Sequence, residues 1–264
     1  MISEFPLFCF TTLAGLGAGA YAVNAVFPMA KSSKRAWLFP FACMILLAIG
    51  LLGLPMHLGR PERMLIALTQ PSAMIAQEAY WSIALGIVLL VDTLLVKFKG
   101  RAPRALSIVG AVFALVLMFV MGNAYFVSLA IPAWASWATF LLFVCGDFAM
   151  GAALAFLLDN VLSEGKGEKE ADTASRQTMF SNARIVLAAL ALVSLAIEAV
   201  HFSNVGLSFA PFAASAVIAA AGIGAIVAAR MGKLTGKAAV WAEFVCLFAA
   251  VAIARYAFYA ACVL

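Results

Sequence analysis

Charge is scarce in this chain. Asp, Glu, Lys and Arg make up 11% of the 264 residues, against roughly 25% in a soluble domain. Apolar residues supply 66% of the sequence, and the mean hydropathy is +1.08. Too little polar surface remains to coat a water-soluble globule. This excludes a soluble enzyme, a nucleic-acid-binding domain and a disordered scaffold, and makes lipid the solvent for most of the molecule. The net charge is +5, but the basic residues cluster between apolar runs, where they read as topology signals.

Histidines and paired cysteines are also few. Cys9, Cys43, Cys145, Cys246 and Cys262 each stand singly inside an apolar run, with no C-x-x-C pair. That excludes a zinc ribbon and ferredoxin-type cluster ligation, and leaves the cysteines as packing residues. His57 and His201 are the two histidines. The N-terminal Met1-Ile-Ser-Glu4 carries no basic stretch ahead of its apolar run, so no cleavable signal peptide is expected.

What is present is a succession of long apolar runs. A membrane helix needs about 20 largely apolar residues to cross a hydrocarbon core of ~30 Å. Eight runs qualify, at residues 5–30, 36–56, 75–97, 103–127, 136–158, 183–202, 209–230 and 238–262. They are too long and too unalternating for a barrel, so the expected fold is an all-α integral membrane protein of eight transmembrane helices. Gly15, Gly17 and Gly19 in the first span, with Gly146 and Gly151 in the fifth, favour close helix contacts. The polar, mixed-charge stretch 159–182 reads as a solvated cytoplasmic linker separating helices 1–5 (residues 1–158) from helices 6–8 (183–264). The helices themselves divide into two four-helix halves, with His57 and His201 each ending the second helix of its half.

Basic residues set the orientation. Lys31, Lys34 and Arg35 lie in the first connection; Lys97, Lys99, Arg101 and Arg104 in the third. Lys166, Lys169, Arg176 and Arg184 lie in the fifth, and Arg230, Lys233 and Lys237 in the seventh. The opposite side has only Arg60 and Arg63, while Arg255 falls within the last span. The positive-inside rule then places both termini outside.

Ionisable residues inside spans are costly and usually face a cavity or a partner. Asp92 is expected to pair with Lys97 and Lys99 at the interface, and Glu243 with Lys237. Asp147, near mid-span, is as consistent with a helix contact as with a function. Glu198 and His201 read as structural hydrogen-bonding groups. The outer ends are more informative. Span 2 finishes at Pro55-Met-His57-Leu-Gly-Arg-Pro61, where glycine and two prolines break the helix and hold His57 at the rim. After a short interfacial segment, completing an outer loop at 57–72, span 3 descends with Glu78 in its first turns. At about 1.5 Å per residue, Arg255 stands roughly 25 Å up span 8, with Tyr259 one turn further. Three separate segments thus bring His57, Glu78 and Arg255 to one depth.

His57-Leu-Gly-Arg-Pro-Glu-Arg-Met64 followed by Glu78 resembles the membrane-anchor subunit of the dimethyl sulfoxide reductase family. So do Arg184-Ile-Val-Leu187, opening the sixth helix, and the closing Arg255-Tyr-Ala-Phe-Tyr259. Elsewhere the likeness is one of hydropathy. The resemblance implies a bacterial cytoplasmic-membrane subunit of anaerobic respiration, held with a molybdopterin catalytic subunit and an iron–sulfur subunit. It implies oxidation of a quinol, usually menaquinol, near the outer face. His57 and Glu78 take the quinol-pocket roles, with Arg255 and Tyr259 carried over beside them.

The chemistry of the residues agrees with that expectation. Quinol oxidation removes two electrons and two protons, so proton acceptors must stand beside the hydroxyls. A histidine titrates near neutrality and suits that task; Glu78 could accept a second hydrogen bond, and Arg255 could hold Glu78 ionised or steady a quinolate. Trp81, with Tyr80, could pack against the ring. No motif for haem or metal is present, so electrons must leave to a partner. Two other readings stay open: a multi-span transporter, and a b-type cytochrome anchor whose two histidines could hold at most one haem. A transporter would show helices broken at mid-membrane.

Overall fold

The computed structural model describes residues 4–28, 34–162 and 171–263. Ten helices follow in order: α1 (Phe5–Val26), α2 (Leu38–Leu51), α3 (Gly53–His57), α4 (Arg63–Ala67), α5 (Met74–Lys99), α6 (Arg104–Phe126), α7 (Trp137–Leu162), α8 (Ala171–Asn204), α9 (Ala210–Arg230) and α10 (Gly236–Ala260). Eight stretches are long and apolar enough to cross a membrane, α2 and α3 counting as one, Leu38–His57. No strand occurs among the described residues. The eight-span α-helical architecture expected from hydropathy is the fold observed.

Local sequence explains the breaks. Pro6 occupies the first turn of α1, where its missing N–H costs nothing. Gly53, at the α2–α3 joint, lies so close to the Pro6 carbonyl that a Cβ would overlap it. α5 ends at Gly100, whose φ of 73° is the left-handed cap that glycine adopts readily. α4 buries no residue and lies between spans, as an interfacial segment should.

The bundle is two rings sharing a seam. In one, α1 packs on α2, α2 on α5, α5 on α6 and α6 on α1; in the other, α7 packs on α8, α8 on α9, α9 on α10 and α10 on α7. The rings meet chiefly where α1 lies along α7. Small residues permit that approach: a Cβ on Gly19 would strike the Asp147 backbone, and one on Gly151 would strike the Gly19–Ala20 backbone.

Helices extend into the polar stretch. The charged stretch 159–182 is not all linker: α7 runs on to Leu162 and α8 already begins at Ala171, while 163–170 lie outside the described residues. The reason is Phe180, which packs on Phe27 and Phe156 at ring-centroid distances of 5.0 and 6.2 Å and draws the start of α8 onto the bundle.

Candidate functional site

At the end of the bundle where the chain begins and finishes, a cavity of about 370 Å³ opens between the two rings. Glu4 and Leu7 reach it from the start of α1, His57 and Leu58 from the end of α3, and Met74, Ile75 and Glu78 from the start of α5. Ala124, Tyr125 and Ser128 close it from the end of α6, with Trp134 and Cys262 from the α6–α7 connection and the C-terminal turn. Its volume falls at the low end of small-molecule sites. The two residues that sequence reasoning ranked first, His57 and Glu78, therefore line one cavity.

Their environments differ. His57 is about one-third exposed, and its Nδ1 lies 2.8 Å from Glu4 Oε2. Glu78 is buried, and its Oε1 has no hydrogen-bond partner, a costly condition for a polar atom unless something else meets it. Tyr125 forms the floor, stacked on Phe143 at 5.4 Å and meeting Trp134 and Phe258 edge-on. Trp134 is fixed by donating Nε1 to the Phe258 carbonyl at 2.7 Å, and its own carbonyl accepts from Thr139 Oγ1 at 2.7 Å. The walls are rigid aromatic packing; the polar atoms are few and converge. Nearby, Tyr80 donates its hydroxyl to the Leu68 carbonyl and ties α5 to the connection after α4.

Three other expected members stand elsewhere. Arg255 does not face Glu78. It is fully buried and bound to Asp147, with Nη2 2.6 Å from Oδ1, and it donates to the carbonyls of Thr11 at 2.5 Å and Phe143 at 3.3 Å. Arginine is long, and this one spans from α10 to the level of Asp147 on α7. Tyr259 sits one layer behind the lining, its ring 5.2 Å from Tyr125 and its hydroxyl 3.1 Å from Thr11 Oγ1. Trp81 packs on Phe113 at 5.5 Å, away from the cavity.

The interfacial pairings also differ. Asp92 accepts a hydrogen bond from Tyr21 Oη at 2.8 Å, while Lys97 lies over the Trp37 ring. Glu243 pairs with Arg184, at 2.5 Å, rather than with Lys237. His201 Nε2 lies 3.1 Å from the Pro132 carbonyl, a structural contact, whereas Glu198 is buried with neither oxygen hydrogen-bonded. Glu4 and Tyr125 escaped sequence reasoning. Glu4 carried a weak signal, an acidic residue at the mouth of an apolar span; Tyr125 carried none beyond its place at a helix end.

The family model described as DMSO reductase anchor subunit (DmsC) matches residues 1–261. The chain belongs to this family. It is a multi-pass membrane anchor of the dimethyl sulfoxide reductase type, and the eight-span bundle is the anchor's body. A comparison with curated proteins finds no match.

Proposed function

We propose that this anchor oxidises a quinol, menaquinol being the expected form, in the cavity between His57 and Glu78. Electrons then pass to an iron–sulfur subunit docked on the same end of the bundle, and onward to a molybdopterin catalytic subunit. The observation that carries the reading is the convergence of His57 and Glu78, from separate segments, on one cavity walled by aromatic rings. A quinol carries two hydroxyls on opposite edges of one ring, and each must lose a proton as the ring loses two electrons. His57 accepts one proton at the rim, with Glu4 orienting its imidazole and steadying the imidazolium. Glu78 meets the other hydroxyl through the carboxylate oxygen that lacks a protein partner. Ser128 and Tyr125 complete the polar lining.

The basic residues clustered at the far end support a reading in which this cavity lies near the outer face of a bacterial cytoplasmic membrane, with both termini outside, and the released protons leave outward. Leu65, Ile66 and Leu129 are exposed at the same end of the bundle as the cavity and suit the apolar core of a permanent subunit interface. Arg255 supports the site through Asp147 and the Thr11–Tyr259 layer; it does not touch the ring. A transporter would have helices broken at mid-membrane, whereas the α2–α3 break lies close to the rim.

The test is electron entry in His57→Ala and Glu78→Gln complexes. Quinol-driven turnover should fall about 10²–10⁴-fold, the cost of a lost general base, while an artificial donor to the iron–sulfur clusters keeps the wild-type rate. Equal loss with both donors would overturn the assignment.

A further inference from the structure

A second cavity, of about 330 Å³, lies at the opposite end of the bundle, where α1, α2, α5 and α6 turn. We propose that it is a phospholipid-headgroup site, taking a phosphodiester whose headgroup carries a hydrogen-bond donor. The inference does not depend on the quinol reading of the other cavity.

The lining has two chemically distinct parts. Arg101 and Arg104 stand exposed at the mouth, on the turn that Gly100 makes with its φ of 73°. Neither arginine makes an ion pair among the described residues. Ser107, one turn into α6, adds a hydroxyl. Asp92 lines the interior; it is buried, with one oxygen taken by Tyr21 Oη at 2.8 Å. Phe39 and Pro40 supply an apolar wall.

Free inorganic phosphate matches only half of this. It would meet the arginines, but its negative charge would also face the Asp92 carboxylate, and it has no apolar part to lie along the Phe39–Pro40 wall. A glycerol or ethanolamine phosphodiester matches both parts. Its phosphate meets the arginine forks, which recognise phosphate oxygens bidentately, and its terminal hydroxyl or ammonium reaches Asp92. The diacylglycerol side then lies along the apolar wall. The depth agrees, because the site sits where long helices end and basic residues gather, the level of headgroups in a bilayer. A choline headgroup has the same phosphate but no donor, and so should be discriminated against.

The experiment is native mass spectrometry of the intact complex. It is released from nanodiscs of phosphatidylcholine mixed with phosphatidylglycerol or with phosphatidylethanolamine, and the bound lipid is counted. Wild type should retain the donor-bearing lipid in preference to phosphatidylcholine. Because both arginines are exposed, R101Q/R104Q should assemble normally, and it should lose retention about fivefold per arginine, near thirtyfold in all. Asp92→Asn keeps a hydrogen-bond acceptor for Tyr21 and should erase the preference over phosphatidylcholine while leaving total retention nearer wild type. Equal retention of phosphatidylcholine by wild type would overturn the proposal. So would undiminished retention in R101Q/R104Q, or displacement of the lipid by inorganic phosphate as readily as by glycerol phosphate.

Discussion

Removing the negative partner of Arg255 is the sharpest test of how this bundle is held together. The guanidinium is fully buried and lies 2.6 Å from Asp147 Oδ1, between α10 and α7. At that separation an effective dielectric of about 20 gives an attraction of roughly 6 kcal/mol, set against the cost of desolvating both ions. Asp147→Asn removes the counter-charge and leaves the arginine neutral acceptors alone, the amide oxygen at 147 and the carbonyls of Thr11 and Phe143. Breaking a buried pair in this way typically costs about 3–5 kcal/mol. With roughly 2–4 °C per kcal/mol for a chain of this size, thermal unfolding of the purified complex should fall by about 10 °C, and both quinol-driven and artificial-donor activities should decline together with it. Arg255→Met alone should be comparably damaging. The double variant Arg255→Met/Asp147→Leu removes both charges in similar volume and should recover most of the loss, because an apolar replacement of a whole buried pair is often neutral. A single Asp147→Asn variant within about 1 kcal/mol of wild type would refute this account, as would a double variant no better than the singles. Selective loss of quinol-driven turnover at unchanged melting temperature would return Arg255 to the quinol chemistry.

Three further outcomes are expected. Glu4→Gln should lower quinol-driven turnover by less than the roughly 10²–10⁴-fold of His57→Ala, since it removes the charge beside the imidazole but leaves the proton acceptor in place; steady-state rates with a quinol analogue and with an artificial donor would show it. Gly19→Leu should prevent accumulation of the protein in membranes, because its side chain would enter the Asp147 backbone, whereas Gly224→Ala, with open space around it, should accumulate normally; quantitative immunoblotting of membrane fractions measures both. A single cysteine placed at Ile66 should react with a membrane-impermeant maleimide in intact cells, while one at Lys233 should react only after lysis; the reverse pattern would invert the orientation.

The fold was legible because length and hydropathy identify spans without reference to neighbours, and because Pro55, Gly59 and Pro61 mark the break after α3. His57 and Glu78 were legible for the same reason: both lie near helix ends, where depth alone brings them to one rim. Azimuth was not legible. Asp92 lies five and seven residues before Lys97 and Lys99, but it faces α1 and meets Tyr21, while Lys97 lies over Trp37. Glu243 likewise faces α8 and Arg184 instead of Lys237. Arg255 adds a second difficulty, since a backbone position fixes its Cα but not where several ångström of side chain delivers the charge. Its partner, Asp147, sits deeper than Glu78 and on a different helix. Helix bounds within the polar stretch were not legible either, since average polarity conceals Phe180, which packs on Phe27 and Phe156 near the start of α8.

The central helix shows why hydropathy finds spans yet misranks them. α1 is the least apolar of the eight spans and also the most buried. In a soluble protein those properties would conflict. Here the solvent is hydrocarbon, so helices on the outside must be the more apolar ones, and the interior can hold small and polar residues provided each finds a partner. Along α1 the assignments follow one another. Glu4 faces His57, Thr11 bonds Tyr259 and receives Arg255 at its carbonyl, and Tyr21 donates to Asp92. Gly15 leaves room for the Asp147 carboxylate, and Gly19 for its backbone. A more hydrophobic α1 would insert as well but pack worse, because leucine at Gly15 or Gly19 would part the rings and valine at Thr11 would leave Tyr259 without its hydroxyl partner. Thr11, Gly15 and Gly19, which lower the apparent span quality of α1, are therefore the residues that join the two rings, while Glu4 at its start frames the cavity between them.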